Sequence, residues 1–388
     1  MIFFKILFWI LIFLVFYSYL GYPMLLFVIS KFKIPKTPQL ISDTYEPTVT
    51  LFVAAFNEQD FVESKVANSF ALNYPKNKLT CVWVTDGSND KTNELLAKYP
   101  ELKVYFQPER KGKINAMNRG MEFVDSEIVI FSDGNTILSK DTVNEIVKAF
   151  NNKNVGCIAG EKRIELSSKD SAAAAGEGFY WKYESWIKQL DAITGSCVGA
   201  AGELFAIRKE LFFKVPADTI LDDFIISLTI AMQGFKIDYT PNAYAIEKAS
   251  ANISEEMKRK VRIAAGSMQS LVRLKALFNI WKHGFLSFQF ISHKVMRWIV
   301  TPVSLVILIP LNVILALQSQ MYMNILLLQV FFYLFVFLGW LFKDKETKLS
   351  IIFIPYYFFI ANLSMWLGYF RYIKGSQSVN WERAKRST

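Results

Sequence analysis

The sequence is poor in cysteine and histidine, and this limits the chemistry that the chain can carry. Among 388 residues there are three cysteines, Cys81, Cys157 and Cys197, and two histidines, His283 and His293. The cysteines form no Cys-x-x-Cys pair, so the sequence supports neither a disulfide framework nor a cysteine-rich zinc site. Two histidines leave little room for a histidine zinc site or a Ser-His-Asp triad. A general base in this chain is therefore expected to be a carboxylate.

Charged residues are also few, and acidic residues are the scarcer kind. They make up 20% of the chain, with 44 Lys and Arg against 34 Asp and Glu, whereas 52% of the residues are hydrophobic and 34 are Phe. The mean hydropathy is +0.24. These values exclude a disordered or collagen-like chain and argue against an ordinary soluble domain. Much of the positive charge borders apolar segments, which favours membrane lipid as a partner and not nucleic acid.

The first long charge-free run covers residues 6–30. At about 1.5 Å per residue it is long enough to cross a hydrocarbon core of roughly 30 Å. A signal peptide is the alternative, but no A-x-A-like cleavage site follows the run. Lys31, Lys33 and Lys36 come next. By the positive-inside rule they place the following segment in the cytoplasm.

Two further apolar runs lie near the C-terminus, at residues 299–342 and 349–370. The first fits two membrane helices, and the second contains Pro355. If all of these helices cross the membrane, the basic tail at 371–388 ends outside, against the charge rule. We therefore expect the Pro355 segment to be re-entrant or interfacial, since proline frees a backbone carbonyl that needs another partner.

These patterns predict a multi-pass plasma-membrane protein whose large domain is cytoplasmic. The predicted parts are an N-terminal transmembrane helix (1–30), a cytoplasmic α/β domain (31–253), amphipathic interfacial helices (254–298), two transmembrane helices (299–342), a third C-terminal membrane segment (349–370) and a basic tail (371–388).

Within the large domain, β-rich runs alternate with helical patterns. The predicted strands are 49–55, 79–85, 102–107, 127–132 and 155–160, and the predicted helices are 58–72, 90–99, 113–124 and 141–150. This alternation predicts an α/β fold with a doubly wound, mostly parallel sheet, which binds ligands at the carboxyl ends of its strands.

Polar motifs follow four consecutive predicted strands. They are Asn57-Glu58, Asp86-Gly87-Ser88-Asn89-Asp90, Lys111-Gly112-Lys113 and Asp133-Gly134-Asn135. Each motif alone is ordinary turn or capping chemistry. Their shared position at the ends of the strands favours a crevice that binds a nucleotide.

With these motifs, residues 46–298 and the flanking membrane helices resemble a membrane-integrated family-2 glycosyltransferase of the GT-A fold, in the branch of the cellulose, hyaluronan and poly-N-acetylglucosamine synthases. The resemblance implies an inverting hexosyltransferase. Its donor partner would be a nucleoside-diphosphate sugar, with UDP as the expected nucleotide, and its product an extracellular polysaccharide. The acceptor partner would be a saccharide or a lipid-linked saccharide.

The resemblance also implies roles for the donor-binding residues. Asn57, Glu58 and Asp86 would contact the uracil and ribose, and Lys113 would lie near the diphosphate. Asp133 would bind the nucleotide sugar and, with Asn135, the Mg²⁺ or Mn²⁺ cofactor. The family uses Asp-x-Asp here, so Asn135 is a departure, and a neutral oxygen ligand binds these cations more weakly.

The catalytic residues implied by the resemblance are Asp222, Asp223 and Arg262. Leu221-Asp222-Asp223-Phe224 matches the Thr-Glu-Asp-like motif of the family. Asp223 would be the base, with Asp222 capping or positioning, although an aspartate at a helix start is often only a cap. Arg262 provides a cation for the diphosphate. Ile263 replaces the tryptophan that supports the acceptor in processive relatives, which argues against repeated addition.

The acceptor would be bound by the segment that contains Gly199, Gly202 and Glu203, where small residues let a sugar approach the backbone. Trp381 and Arg383 in the tail resemble the gating segment of the synthases. The resemblance to synthases and the tail favour repeated addition. Two alternatives stay open: transfer of a single sugar to a lipid-linked acceptor, and a non-catalytic membrane protein that binds nucleotide sugar.

Overall fold

The computed structural model describes residues 1–33, 45–165, 172–250, 252–342 and 350–378. The predicted gating residues Trp381 and Arg383 lie outside the described residues. The predicted role of the tail therefore stays a prediction.

An eight-stranded mixed sheet forms the centre of the large domain. Its strands are β1 (Val49–Ala55), β2 (Leu79–Asp86), β3 (Lys103–Gln107), β4 (Ile128–Asp133), β5 (Ile137–Leu138), β6 (Val155–Glu165), β7 (Leu204–Arg208) and β8 (Lys236–Lys248). They lie in the order β3-β2-β1-β4-β7-β6-β8-β5. The strands β1 to β4 pair in parallel, whereas β7 is antiparallel to both β4 and β6. The predicted α/β class is confirmed, and β5, β7 and β8 are additions that the sequence pattern did not reveal.

Helices cover both faces of the sheet and continue into the apolar segments. They are α1 (Ile2–Phe16), α2 (Tyr22–Phe32), α3 (Val62–Phe70), α4 (Thr92–Leu96), α5 (Lys113–Gly120), α6 (Thr142–Phe150), α7 (Ala172–Thr194), α8 (Asp222–Met232), α9 (Ile253–Arg273), α10 (Ile280–His283), α11 (Phe285–Phe290), α12 (Thr301–Ala316), α13 (Gln320–Leu341) and α14 (Ser350–Ile373).

Strand β1 shows how the sequence forms two separate cores. All seven of its residues are buried, as expected for a central strand covered on both faces. Because successive side chains of a strand point to opposite faces, Phe52 and Ala54 pack in one core while Leu51 and Val53 pack in the other. Helices α5, α8 and α9 contribute to the first core, and α3 and α6 to the second.

Three helical runs in the described part of the chain are long and apolar enough to cross a membrane. They are Ile2–Phe32, Phe285–Ala316 and Gln320–Leu341. The predicted boundary between residues 298 and 299 lies inside the second run, which stays helical because residues Ile291–Val300 continue it with π-type hydrogen bonds. Helix α14 contains Pro355 and is also continuous.

Buried polar side chains join the N-terminal helix to the large domain. Tyr22 donates a hydrogen bond to Asp191 of α7, and the second oxygen of that carboxylate lies 2.6 Å from His293 Nδ1. Nearby, Arg297 donates to Glu184 of α7 across 2.8 Å. Polar groups at the edge of an apolar helix bundle need such partners. The network therefore fixes the sheet domain against the membrane helices.

Candidate active site

Three charged side chains from separate elements meet at the carboxyl ends of β4 and the start of α8. Lys113 Nζ lies 2.8 Å from Asp133 Oδ1 and 3.8 Å from Asp222 Oδ2. Burial lowers the pKa of Lys113, but Asp133 and Asp222 outweigh it and raise the pKa above its usual range. Lys113 is therefore a fixed positive charge between two carboxylates.

The local sequence explains why Lys113 points here. Gly112 precedes α5 with φ +93°, a conformation that favours glycine, and so turns the chain sharply from β3 into the helix. Both oxygens of Asp86 secure this turn, accepting hydrogen bonds from Lys111 N at 3.0 Å and Gly112 N at 2.6 Å. The structure thus places Asp86 beneath the turn that presents Lys113. Its predicted contact with the nucleoside stays a prediction.

Asp222 and Asp223 form the first turn of α8, where helix N–H groups favour negative charge. Asp223 Oδ1 accepts a hydrogen bond from Phe224 N at 2.9 Å. Burial and, second, the neighbouring Asp222 raise the pKa of Asp223 to about 7. A carboxylate with this pKa can both hold and release a proton near neutral pH.

Asp222 is the more deeply buried of the two carboxylates. It is 8% exposed, and its Oδ2 atom has no hydrogen-bond partner in the described part of the chain. Lys113 is its cationic neighbour at 3.8 Å. A buried oxygen without a hydrogen bond destabilises the fold, and such atoms are rare outside functional sites. Asp222 therefore fits a role in setting the charge of the cluster.

Gly202 borders the same cluster. A Cβ atom added at Gly202 would lie 3.2 Å from Lys113 Nζ and 3.5 Å from Asp223 Oδ2. The nearby Gly199 has φ +88°, and a Cβ atom there would lie 2.3 Å from the Phe224 ring. Gly199 is thus explained by backbone packing, whereas Gly202 lies where a ligand would meet both Lys113 and Asp223.

Arg262 lies on α9 and faces the acidic cluster. Burial lowers the pKa of Arg262 below its usual value, and the nearby Asp222 and Asp223 offset only part of that shift. Among the described residues, its guanidinium has no carboxylate within ion-pair distance, unlike Arg259 one turn earlier, which pairs with Glu177 and Glu256. Arg262 is therefore available to a bound anion.

Asn57 and Glu58 connect the ends of β1 and β2. Asn57 has φ +54° and exchanges hydrogen bonds with Asn89, at 2.7 Å and 3.0 Å. Glu58 is buried, and its backbone N–H donates to Thr92. A Cβ atom added at Gly134 would lie 3.2 Å from Glu58 Cγ. The two residues therefore lie at the carboxyl ends of β1 and β2, with Glu58 next to the Asp133-Gly134-Asn135 turn.

Asp133 and Asn135 are the predicted metal ligands. Burial raises the pKa of Asp133, and Lys113 opposes that rise. Asn135 Nδ2 donates to Glu247 Oε1 at 3.0 Å, which leaves the amide oxygen available to a ligand.

One carboxylate and one amide oxygen are hard donors that suit Mg²⁺ or Mn²⁺. No group of three or more His, Cys, Asp and Glu side chains in the described ranges is arranged for a metal. A cation here would thus need further oxygens from its ligand.

Glu203, the third predicted acceptor residue, is occupied by an ion pair. Its carboxylate pairs with Lys162 of β6. Burial raises the pKa of Glu203, but Lys162 more than offsets this and lowers it to about 2. Glu203 is thus a permanently charged partner of Lys162 at the edge of the site.

Three functional candidates escaped the sequence reasoning: Lys65, Lys162 and Glu247. Lys65 is fully buried below the Asp133-Gly134-Asn135 turn and donates to Ser132 Oγ at 2.7 Å and to Thr136 O at 2.8 Å. Burial lowers its pKa to about 7. No local motif marks these residues, because their partners lie far away in the chain.

Comparison with known proteins is consistent with this site. Residues 50–215 match the model of the family described as Glycosyl transferase family 2. The chain is 26% identical over 253 residues to a poly-beta-1,6-N-acetyl-D-glucosamine synthase of Staphylococcus aureus (strain MSSA476), covering 63% of this chain and 60% of that protein. It is 24% identical over 235 residues to a protein of the same name from Staphylococcus epidermidis. The match thus spans about 60% of the length of the first of these curated relatives.

A solved structure also shares the fold. It is the mannosyltransferase PcManGT from Pyrobaculum calidifontis in complex with GDP-Man and Mn²⁺. The TM-score is 0.70 at 22% identity, and the match covers 95% of this chain and 99% of that chain. At this identity the likeness establishes the architecture, including the arrangement of sheet and flanking helices.

Proposed function

The chain belongs, through residues 50–215, to glycosyl transferase family 2, and from this premise we propose that it is an inverting membrane glycosyltransferase. It transfers a sugar from a nucleoside diphosphate, with UDP as the expected nucleotide, onto a saccharide acceptor in the synthesis of an extracellular polysaccharide. The observation that carries the proposal is the cluster in which Lys113 lies 2.8 Å from Asp133 and 3.8 Å from Asp222, next to Asp223.

The leaving group determines what the cations do. Breaking the bond between sugar and nucleotide concentrates negative charge on the diphosphate, and preorganised cations stabilise that charge. Lys113 and Arg262 bind the diphosphate. A Mg²⁺ or Mn²⁺ ion held by Asp133 and Asn135 supplies further charge neutralisation when bound. The Mn²⁺ of the solved mannosyltransferase supports including this cation in assays.

Asp223 is the proposed base. Its carboxylate takes the proton of the acceptor hydroxyl as the oxygen attacks the sugar, which gives direct displacement with inversion. Asp222 supports this role because its charge helps to raise the pKa of Asp223 to about 7. Gly202 leaves room for the acceptor beside Asp223, and Glu203 holds the same segment through Lys162.

The nucleoside lies in the crevice lined by Asn57 and Glu58. Asp86 acts by holding the Lys111-Gly112 turn, in addition to its expected nucleoside contact. We place the catalytic domain on the cytoplasmic face of the plasma membrane, where nucleotide sugars are made. For Trp381 and Arg383 in the tail we keep the gating role that the resemblance implies as part of this proposal.

The number of sugars that the enzyme adds to one acceptor distinguishes two versions of this proposal, a polymerase and a single-sugar transferase. The curated relatives are named as synthases of a polymer, which supports repeated addition. Ile263, at the position of the tryptophan of processive synthases, favours single addition to a lipid-linked acceptor. Product length on a sizing gel distinguishes the two, and a ladder of long products would contradict the argument from Ile263.

The direct test is nucleotide release by the purified full chain with Mg²⁺ or Mn²⁺ across a panel of UDP-sugars and GDP-mannose. The proposal predicts turnover with at least one donor. Tight nucleotide binding without turnover of any donor would instead support a non-catalytic protein that binds nucleotide sugar. Mass spectrometry of the product then identifies the sugar and the acceptor.

A further inference from the structure

A contact between Asn135 and Glu247 links the predicted metal turn to the far edge of the sheet. We propose that Glu247 is a positioning residue that turns the amide oxygen of Asn135 toward the divalent cation. The same contact accounts for asparagine in place of the family's second aspartate. This inference rests on the proposed function, because it concerns the cation that assists the donor.

The hydrogen bond fixes which end of the Asn135 amide is available. Asn135 Nδ2 donates to Glu247 Oε1 at 3.0 Å. An ionised carboxylate accepts hydrogen bonds but donates none, so only the NH₂ group of the amide can face it. The amide oxygen consequently points away from Glu247, and it is the one metal-binding atom that this side chain offers.

Glu247 is itself held in place. It is 2% exposed on β8, and its Oε2 atom lies 2.5 Å from Lys162 Nζ. Lys162 also pairs with Glu203 and lies 4.7 Å from the ring centroid of Trp181. A carboxylate fixed by a buried cation is a rigid acceptor. Outer partners of this kind orient metal ligands and tune their affinity.

The contact also explains why asparagine replaces aspartate. A carboxylate at position 135 would place its oxygen about 3 Å from the Glu247 carboxylate. Two ionised carboxylates at that separation repel each other strongly. Asparagine removes the repulsion and adds a hydrogen bond. The cation site therefore keeps one charged ligand, Asp133, and one neutral ligand whose direction is set by Glu247.

A double-mutant cycle tests the proposal. The variants are Asn135→Asp, Glu247→Gln and the combination of both, each as purified full chain in detergent. Isothermal titration of UDP, with GDP in parallel, measures the factor by which Mn²⁺ strengthens nucleotide binding relative to EDTA. Glu161→Gln on β6 is the matched control, because Glu161 is a carboxylate of the same sheet that pairs with Arg163. Nucleotide binding in EDTA reports whether each variant is folded.

We expect the Mn²⁺ factor to fall about tenfold or more in Asn135→Asp, because the new carboxylate opposes Glu247. In the double variant the amide introduced at position 247 donates to the carboxylate introduced at position 135, and the Mn²⁺ factor returns to within about threefold of the wild-type value. Tighter Mn²⁺ binding in Asn135→Asp alone would overturn the proposal. It would also be overturned if the loss in the double variant equalled the sum of the losses in the two single variants. Wild-type protein that binds neither nucleotide would instead contradict the proposed function.

Discussion

Lys113 donates a hydrogen bond to Asp133 across 2.8 Å and so joins the start of α5 to the end of β4. The two residues are twenty positions apart, and the parallel pairing of β1 with β2 and β4 brings their elements to the same edge of the sheet. A cation held beside the proposed metal ligand is placed to stabilise the charge of a departing diphosphate. The predictions below follow from this arrangement.

Removing the charge of Lys113 should slow transfer more than it weakens donor binding. In Lys113→Met we expect kcat to fall by about 100-fold or more, because the lost cation acts mainly on charge that develops in the transition state. Lys113→Arg should recover part of that loss. Steady-state kinetics with the active donor measures both. A change confined to KM would mean that Lys113 contributes only to ground-state binding.

Arg262 should be needed for the nucleotide, whereas another arginine of the same helix should not. Arg262→Ala is expected to weaken UDP binding and to lower kcat/KM by about 100-fold, since a guanidinium that pairs with no carboxylate in the described part of the chain is lost. Arg273→Ala is the matched control, because Arg273 pairs with Asp218 at the other end of α9. Equal effects of the two substitutions on UDP affinity would show that the helix, and not the Arg262 charge, matters.

The pH profile should report the ionisation of Asp223. A base acts in its ionised form, so kcat/KM should fall about tenfold per pH unit as the pH drops below the pKa of about 7. In Asp222→Asn this acidic limb should move to lower pH, because Asp222 helps to raise the pKa of Asp223. Profiles from about pH 5.5 to 8.5 provide the measurement. An unchanged limb in Asp222→Asn would exclude the coupling.

Lys65 should make stability depend on pH. Its folded pKa of about 7 lies below the usual value of 10.5, so between these values the unfolded chain binds more protons. The contribution of Lys65 to stability therefore rises as the pH increases from about 7 toward 10. Relative to Lys65→Met, the wild-type Tm should increase from about pH 7 to pH 9 in EDTA.

The control for that experiment is Lys78→Met, which removes a lysine that pairs with Glu46 at the surface. Its Tm difference from the wild type should stay constant over the same pH range. A constant difference for Lys65→Met as well would show that the buried ammonium is not the titrating group.

The sequence was sufficient to predict the strands of the first half of the sheet, because β1 to β4 are largely apolar runs bounded by turn residues. Strand β1 matches its predicted limits, while α3 begins at Val62 and not at residue 58 because the chain turns after Asn57. Strand β8 was missed since Pro241 and polar residues interrupt its pattern. Strand β6 was predicted to end at 160 but continues to Glu165, where it pairs with β8.

The motif residues of the site were also accessible from the sequence, because each follows a strand or begins a helix. Their supporting partners were not. Asn135 and Glu247 are 112 positions apart, and Lys65 contacts residues about 70 positions away. Contacts over such separations depend on the register of the sheet, which no local pattern specifies.

The most direct test of the account compares wild type with Asp223→Asn in nucleotide release and in UDP binding. A carboxylate that acts only as the base can be neutralised without loss of the nucleotide site. We expect turnover to fall by about 1,000-fold while the UDP affinity stays within about twofold of the wild-type value. Turnover retained in Asp223→Asn, or UDP binding lost together with turnover, would contradict Asp223 as the base.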